Sequence, residues 1–190
     1  MWQKFLEWDK DVFVYLNALG IEKYDPFWSA VTTISTWIPL FVLFFVLVWH
    51  KYPKKEAFFV SLTVVSLIFF IIVATDLSKM YFARLRPNNE PEINTLIRIL
   101  RRPSSYSFFS GHASSSFSVT TLVFLFLRKR FAYSLLFFIW PLLFTASRIY
   151  VGVHYPSDIL VGAFVGISSA YLFYGLYRRL IVPYLTLGRP

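Results

Sequence analysis

Five runs of this chain are apolar over lengths that suit a lipid bilayer, and they limit its fold more than any other feature. They cover roughly residues 27–49, 56–81, 111–127, 131–147 and 157–177. A spanning helix needs about 20 predominantly apolar residues, so the third and fourth runs are the shortest that qualify. Inside lipid the backbone must satisfy its own hydrogen bonds, which makes each run a helix. The composition agrees: 57% of the 190 residues are hydrophobic, 21% are aromatic, and the mean hydropathy is +0.57. A soluble domain of this length cannot hide that much apolar surface. The expected fold is an all-α integral membrane bundle of five to six helices, one domain over residues 1–190.

The sixth helix is expected at residues 1–20. Trp2, Phe5, Leu6, Val12, Phe13, Leu16 and Leu19 recur at helical spacing, while Gln3, Lys4, Glu7, Lys10, Asp11 and Asn17 fill the other side and Gly20 is a stop. Such a helix either lies in the membrane interface or packs on the bundle. It is not a secretory signal, because no basic segment precedes a continuous apolar run and no cleavage site follows.

Loop charge sets the expected orientation. Lys51, Lys54 and Lys55 follow the first span, Arg128-Lys129-Arg130 forms the turn after the third, and Arg178, Arg179 and Arg189 follow the fifth. The positive-inside rule makes this side, with the C-terminus, cytoplasmic. The N-terminus is then extracytoplasmic, and the membrane is the cytoplasmic (inner) membrane. The net charge of +9 reflects these scattered basic loops and contact with anionic lipid, not nucleic acid. There is no cysteine, which excludes disulfides and thiolate chemistry. The basic segment 84–102 breaks the charge rule on the outer side and calls for a functional reason.

Three polar clusters fall at the outer junctions. The first holds Asp76, Lys79, Arg84, Arg86 and Pro87. Lys79 and Arg86 share a helix face if the helix persists, Asp76 is spaced to pair with Lys79, and Pro87 loosens the helix at Arg86. The second is Ser110-Gly111-His112, where free N–H groups at a helix start suit an anion and a histidine can move a proton near neutral pH. The third runs from Ser147-Arg148 through His154 to Asp158. Arg148 offers a planar fork of donors to a phosphate. Asp158, about one turn beyond His154, can orient one ring nitrogen and leave the other as a nucleophile. Singly, each cluster also reads as an interfacial anchor or a cap. Together they describe a metal-free phosphate pocket, since metal ligation needs more carboxylates or a third close histidine.

These residues resemble the type 2 phosphatidic acid phosphatase superfamily, specifically its bacterial membrane lipid phosphatase branch. The three-part signature is K-x6-R-P, P-S-G-H and S-R-x5-H-x3-D. Here it reads Lys79…Arg86-Pro87, Phe109-Ser110-Gly111-His112 and Ser147-Arg148…His154…Asp158. Phe109 replaces the signature proline, a change to the turn rather than to a catalytic group. The resemblance is close over residues 76–165. It implies that His154 attacks phosphorus to form a phosphohistidine, that Asp158 orients it, and that His112 protonates the leaving oxygen. It also implies that Lys79, Arg86, Ser110, Gly111 and Arg148 hold the phosphate, with no cofactor.

The expected substrate is a lipid phosphate met among membrane lipids: undecaprenyl diphosphate, phosphatidylglycerol phosphate, phosphatidic acid or a lipid A phosphate. The outer segment 84–110 is expected to lie over the site. Within it, Arg98, Arg101 and Arg102 are the candidates to choose the headgroup, and residues 95–100 form either a short amphipathic helix or a loop on lipid phosphates. Alternatives are a lipid phosphotransferase using the same residues and a transporter or scaffold with a vestigial site. A vanadate-dependent haloperoxidase shares the signature, but those relatives are soluble. The sequence leaves the oligomeric state open.

Overall fold

The protein is described by a computed structural model over residues 2–186; Arg189 and the side chain of Trp2 lie outside the described residues. All the regular structure among them is helical. In chain order the helices are α1 (Trp2–Ala18), α2 (Asp25–Val31), α3 (Ile38–Lys51), α4 (Lys54–Phe82), α5 (Gly111–Leu127), α6 (Ile139–Tyr150), α7 (Pro156–Leu176) and α8 (Val182–Thr186). By length and composition four helical runs can cross a bilayer: Ile34–Lys51, Lys54–Asn89, Ala132–Tyr150 and Pro156–Leu185. The fifth, α5, has 17 residues and is about 25 Å long at 1.5 Å per residue.

That short helix is the centre of the bundle. Twelve of its residues are buried, and a core of Val60, Leu67, Ile71, Leu122, Phe126, Trp140 and Phe144 packs around it. The closest approach is to α7. A Cβ added at Gly162 would stand 2.7 Å from the Ser110 carbonyl oxygen, and one at Gly166 would stand 2.4 Å from that of Ser114. Ser110, Ser114 and Ser118 of this segment face α7, and the Gly162-x-x-x-Gly166 pair brings the two backbones together. The opposite surface of the bundle remains apolar, as on α4, where Val65 is 61% and Phe69 69% exposed. Such residues suit contact with lipid.

The first expected span, 27–49, is broken. The chain leaves helix at Thr32-Thr33, where Thr33 is extended, and resumes through a 3-10 turn at Ile34–Trp37. Local hydrogen bonds hold the break: Thr33 Oγ1 donates to the Ser29 carbonyl, Thr36 Oγ1 to that of Ala30, and Trp37 Nε1 to that of Val31. Side chains that bond the backbone locally compete with helix in this way. The fourth span also departs from a plain helix. Its first half, Ala132–Phe138, is 3-10, and its α-helical half runs past Ser147 to Tyr150.

Helix α1 packs on the bundle, but of its apolar stripe only Phe13 is buried among the described side chains. Its buried positions are Asp9, Phe13 and Asn17, one turn apart, while Phe5, Trp8, Tyr15 and Leu19 are exposed. Asn17, assigned to the outward face, is fully enclosed. Its amide donates to the carbonyls of Arg98, Ile149 and Tyr150, and its oxygen accepts from the Arg98 N–H. These bonds hold residues 91–100 as turns and bends, so no helix forms at 95–100.

The basic stretches do gather at one end. Arg130 donates to the Lys51 carbonyl and lies over the Tyr52 ring, while Lys55 sits over Tyr184. The three signature clusters occupy the other end.

Candidate active site

The turn between α6 and α7 carries His154. Gly152 adopts φ +83°, which favours glycine, and Val153 N–H returns to the Arg148 carbonyl at 3.1 Å. The chain then enters α7 at Pro156, with a capping arrangement in which the Asp158 carboxylate accepts the Tyr155 N–H at 3.0 Å. This turn points both the His154 ring and the Asp158 carboxylate to the interior. His154 Nδ1 is 3.4 Å from Asp158 Oδ2, and Nε2 is 3.0 Å from an Arg86 guanidinium nitrogen. A carboxylate on one side and a donor on the other assign the tautomer: Nδ1 carries the hydrogen and Nε2 the lone pair. Burial first, then Arg86, Arg148, Lys79 and Arg84, hold the ring well below the ordinary histidine range. His154 is therefore neutral near pH 7 and able to act as a nucleophile.

Arg86 reaches this position by a different route from a shared helix face. Helix α4 stops at Phe82, Ala83 takes the left-handed conformation, and Arg86 is extended before Pro87. The guanidinium is buried and held by the Ser105 carbonyl at 2.6 Å, Ser105 Oγ at 3.0 Å and the Val153 carbonyl at 3.0 Å. Lys79 stays on α4, and a Cβ at Gly111 would lie 3.9 Å from its ammonium. The expected Asp76–Lys79 pair does not form: Asp76 is exposed and makes no ion pair among the described residues.

Ser110 caps α5, accepting the Ala113 N–H on its hydroxyl oxygen, and its own N–H donates to the Asp158 carbonyl at 3.0 Å. That bond registers the start of α5 against the start of α7. His112, on the first turn of α5, stacks on Phe144 with ring centres 4.7 Å apart. Arg148, His154, Arg86 and Lys79 all lie within electrostatic reach of its ring. Arg148 is 6% exposed; its guanidinium donates to Thr32 Oγ1, and its Nε has no hydrogen-bond partner. The break between α2 and α3 is what delivers Thr32.

Phe109, in the place of the signature proline, is buried, and the Phe108–Phe109 peptide is cis. Arg98, a candidate for headgroup choice, is committed elsewhere: it pairs with Asp25 at 2.6 Å and bonds the Tyr150 hydroxyl.

The sequence does not reveal what stands behind His154 and Asp158. Arg84 donates to Asp158 Oδ1 at 2.8 Å with one nitrogen and to Asp9 at 2.8 Å with the other. Its guanidinium lies over the Tyr155 ring. Asp9 is fully buried; it accepts the Ser157 N–H at 3.0 Å and the Ser157 hydroxyl. A buried carboxylate on the first helix thus supports the residue that holds Asp158. No sequence signal marks Asp9, since its partners lie far along the chain.

The arrangement brings a neutral, oriented histidine and a second histidine among Lys79, Arg86 and Arg148. Those cations can neutralise charge spreading over phosphate oxygens. No group of three or more histidine, cysteine, aspartate or glutamate residues stands together as metal ligands among the described residues.

Most of the chain also resembles known proteins. The family model described as PAP2 superfamily matches residues 57–181. A lipid A 4'-phosphatase of Porphyromonas gingivalis is 29% identical over 177 residues, covering 90% of this chain and 74% of the relative. An undecaprenyl-diphosphatase of Sulfolobus acidocaldarius is 32% identical over 138 residues, covering 72% and 61% respectively. In fold, the chain resembles the crystal structure of a transmembrane PAP2-type phosphatidylglycerolphosphate phosphatase from Bacillus subtilis. The TM-score is 0.73, with 19% identity, over 93% of this chain and 88% of that one.

Proposed function

The chain belongs to the PAP2 superfamily, and from that membership we propose that it is a multi-pass membrane phosphatase of lipid phosphates whose nucleophile is His154 Nε2. The observation that carries this is the ring's confinement between Asp158 at 3.4 Å and Arg86 at 3.0 Å. The lone pair of Nε2 attacks phosphorus as the bond to the lipid oxygen breaks. His112, protonated in the complex with the phosphate anion, donates a proton to that leaving oxygen. Water then attacks the phosphohistidine, His112 takes a proton from it, and inorganic phosphate departs with His154 neutral again. Arg86 covers Nε2 in the free protein, so an arriving phosphate draws its guanidinium onto the phosphate oxygens and uncovers the nucleophile. Lys79, Arg148, Ser110 and the Gly111 N–H complete the grip, and no metal takes part.

The site lies at the end of the bundle opposite the basic turns, which the positive-inside rule makes extracytoplasmic. The reading is an enzyme of the cytoplasmic membrane acting on its outer leaflet, with the N-terminus outside and the C-terminus inside. Two curated lipid A 4'-phosphatases match 90% of the chain at 29% and 28% identity, so a lipid A phosphate heads the substrate panel. Undecaprenyl diphosphate, phosphatidylglycerol phosphate and phosphatidic acid follow. Purified protein should release inorganic phosphate from one of them with a chelator present, and His154→Ala should abolish turnover. Strict dependence on an added metal, or full activity in that variant, would overturn the mechanism.

A further inference from the structure

The arginines of the outer segment divide sharply. Arg84 and Arg98 each meet a carboxylate, through Asp9 and Asp158 for one and Asp25 for the other. Arg86, Arg101 and Arg102 form no ion pair among the described residues, and neither does Arg148. A cavity of about 470 Å³ is lined by Thr32, Thr33, Arg101, Arg102, Pro103 and Arg148. Its position is informative, because Arg148 belongs both to this cavity and to the cations around His112.

The cavity is built for an anion. The charge of Arg101 acts directly on Arg148, a repulsion that no nearby carboxylate relieves. Arg148 is more than nine-tenths buried, yet its Nε has no partner. A buried donor without a partner is costly unless something arrives to accept from it. Arg101 is tied to the cavity wall through Thr33 Oγ1 at 3.2 Å, so it is positioned there rather than swept freely through solvent. The break between α2 and α3 supplies both threonines. Guanidinium groups offer paired donors that match phosphate oxygens.

We propose that this cavity is a second anion subsite. On this account the preferred substrate carries a further phosphate beside the one attacked by His154, either directly linked as a diphosphate or placed elsewhere on the same headgroup. The proposal rests on the phosphatase reading of the adjoining site. Arg148 is the shared wall: one side of the substrate's charge faces His154 and the other faces Arg101 and Arg102.

The test compares matched lipids. One pair is a prenyl diphosphate and the prenyl monophosphate of equal chain length. The other is a bis-phosphorylated and a mono-phosphorylated glucosamine-disaccharide lipid. The wild-type protein should favour the two-phosphate member of at least one pair by about tenfold or more in kcat/KM, and which pair responds identifies the spacing. Arg101→Ala/Arg102→Ala should lower that preference at least fivefold. Inhibition of the unaltered protein gives a second measurement of the spacing: if the diphosphate pair is the one that responds, pyrophosphate should inhibit about tenfold more tightly than orthophosphate. No preference within either pair, or a preference unchanged in the double variant, would overturn the subsite. Failure to hydrolyse any lipid phosphate would instead refute the phosphatase reading.

Discussion

Replacing Asp9 by Asn tests whether the first helix takes part in catalysis. The carboxylate accepts three hydrogen bonds, from Arg84, from the Ser157 N–H and from the Ser157 hydroxyl, and it is fully buried. An amide of the same shape keeps an acceptor for the Ser157 N–H but sets its NH2 against the Arg84 donors. Hydrogen bonds to charged groups are worth about 1.5–3 kcal/mol each, and breaking a buried pair costs about 3–5 kcal/mol. Arg84 retains 18% side-chain exposure and keeps Asp158, so the stability loss should fall near the lower end, about 2–3 kcal/mol. The catalytic effect follows from geometry. Once Arg84 is free on one side, its pair with Asp158 Oδ1 persists but shifts in position, and the already long 3.4 Å contact to His154 Nδ1 loosens. Around metal ligands, changes in the supporting residues typically cost about 10–100-fold, and the same factor here would be about 1.4–2.8 kcal/mol of barrier. The assay is steady-state hydrolysis of a lipid phosphate in detergent, beside thermal unfolding of the same sample. We expect kcat to fall by about that factor with KM little changed, because no phosphate ligand has been touched. An unchanged kcat in a folded but less stable variant would refute the argument and leave α1 as a strut.

Three further outcomes follow from the structure. Gly166→Ala places a Cβ 2.4 Å from a backbone oxygen of α5, whereas Gly175→Ala meets nothing within 4 Å. Unfolding in detergent should show a loss of about 1–3 kcal/mol or more for the first and a neutral or slightly stabilising change for the second. His154 has a folded-state pKa below its unfolded value of about 6.5, so the unfolded chain binds more protons in the intervening range. Its contribution to stability is complete above about pH 6.5 and is lost as the pH falls toward the folded value; acid unfolding of His154→Gln should lack that component. Asn17→Ala removes four hydrogen bonds that hold the outer segment, and limited proteolysis should then cut within residues 91–102 faster than in the unaltered protein.

Much of the architecture could be read from the sequence where local chemistry decides it. The start of α5 follows from Ser110 and Gly111, and the start of α7 from Pro156. The end at Leu127 follows from the basic turn after it. What escaped was set by distant partners. The buried face of α1 could not be found from its apolar stripe, because in a membrane protein an apolar face can meet lipid while a polar one meets the bundle. Asp9 gave no local hint of Arg84 and Ser157. The break at Thr32-Thr33 lay inside an apolar run, and only the hydroxyl bonds to Ser29 and Ala30 reveal why helix gives way there. The candidate site was legible by residue type, yet its geometry was not. Arg86 arrives through an extended turn, and Arg98 is diverted to an acid that spacing could not identify.

The bond between Asp9 and Ser157 joins residues 148 apart. During synthesis the N-terminal helix emerges first and α7 last among the spans, so Asp9 and Arg84 must wait through most of insertion before their shared partner Ser157 is in place. Contacts of such long separation form late. The Asp158 carboxylate therefore reaches His154 only when the final span has joined the bundle, and a chain halted before α7 holds His154 and the cations around it but nothing to orient the ring.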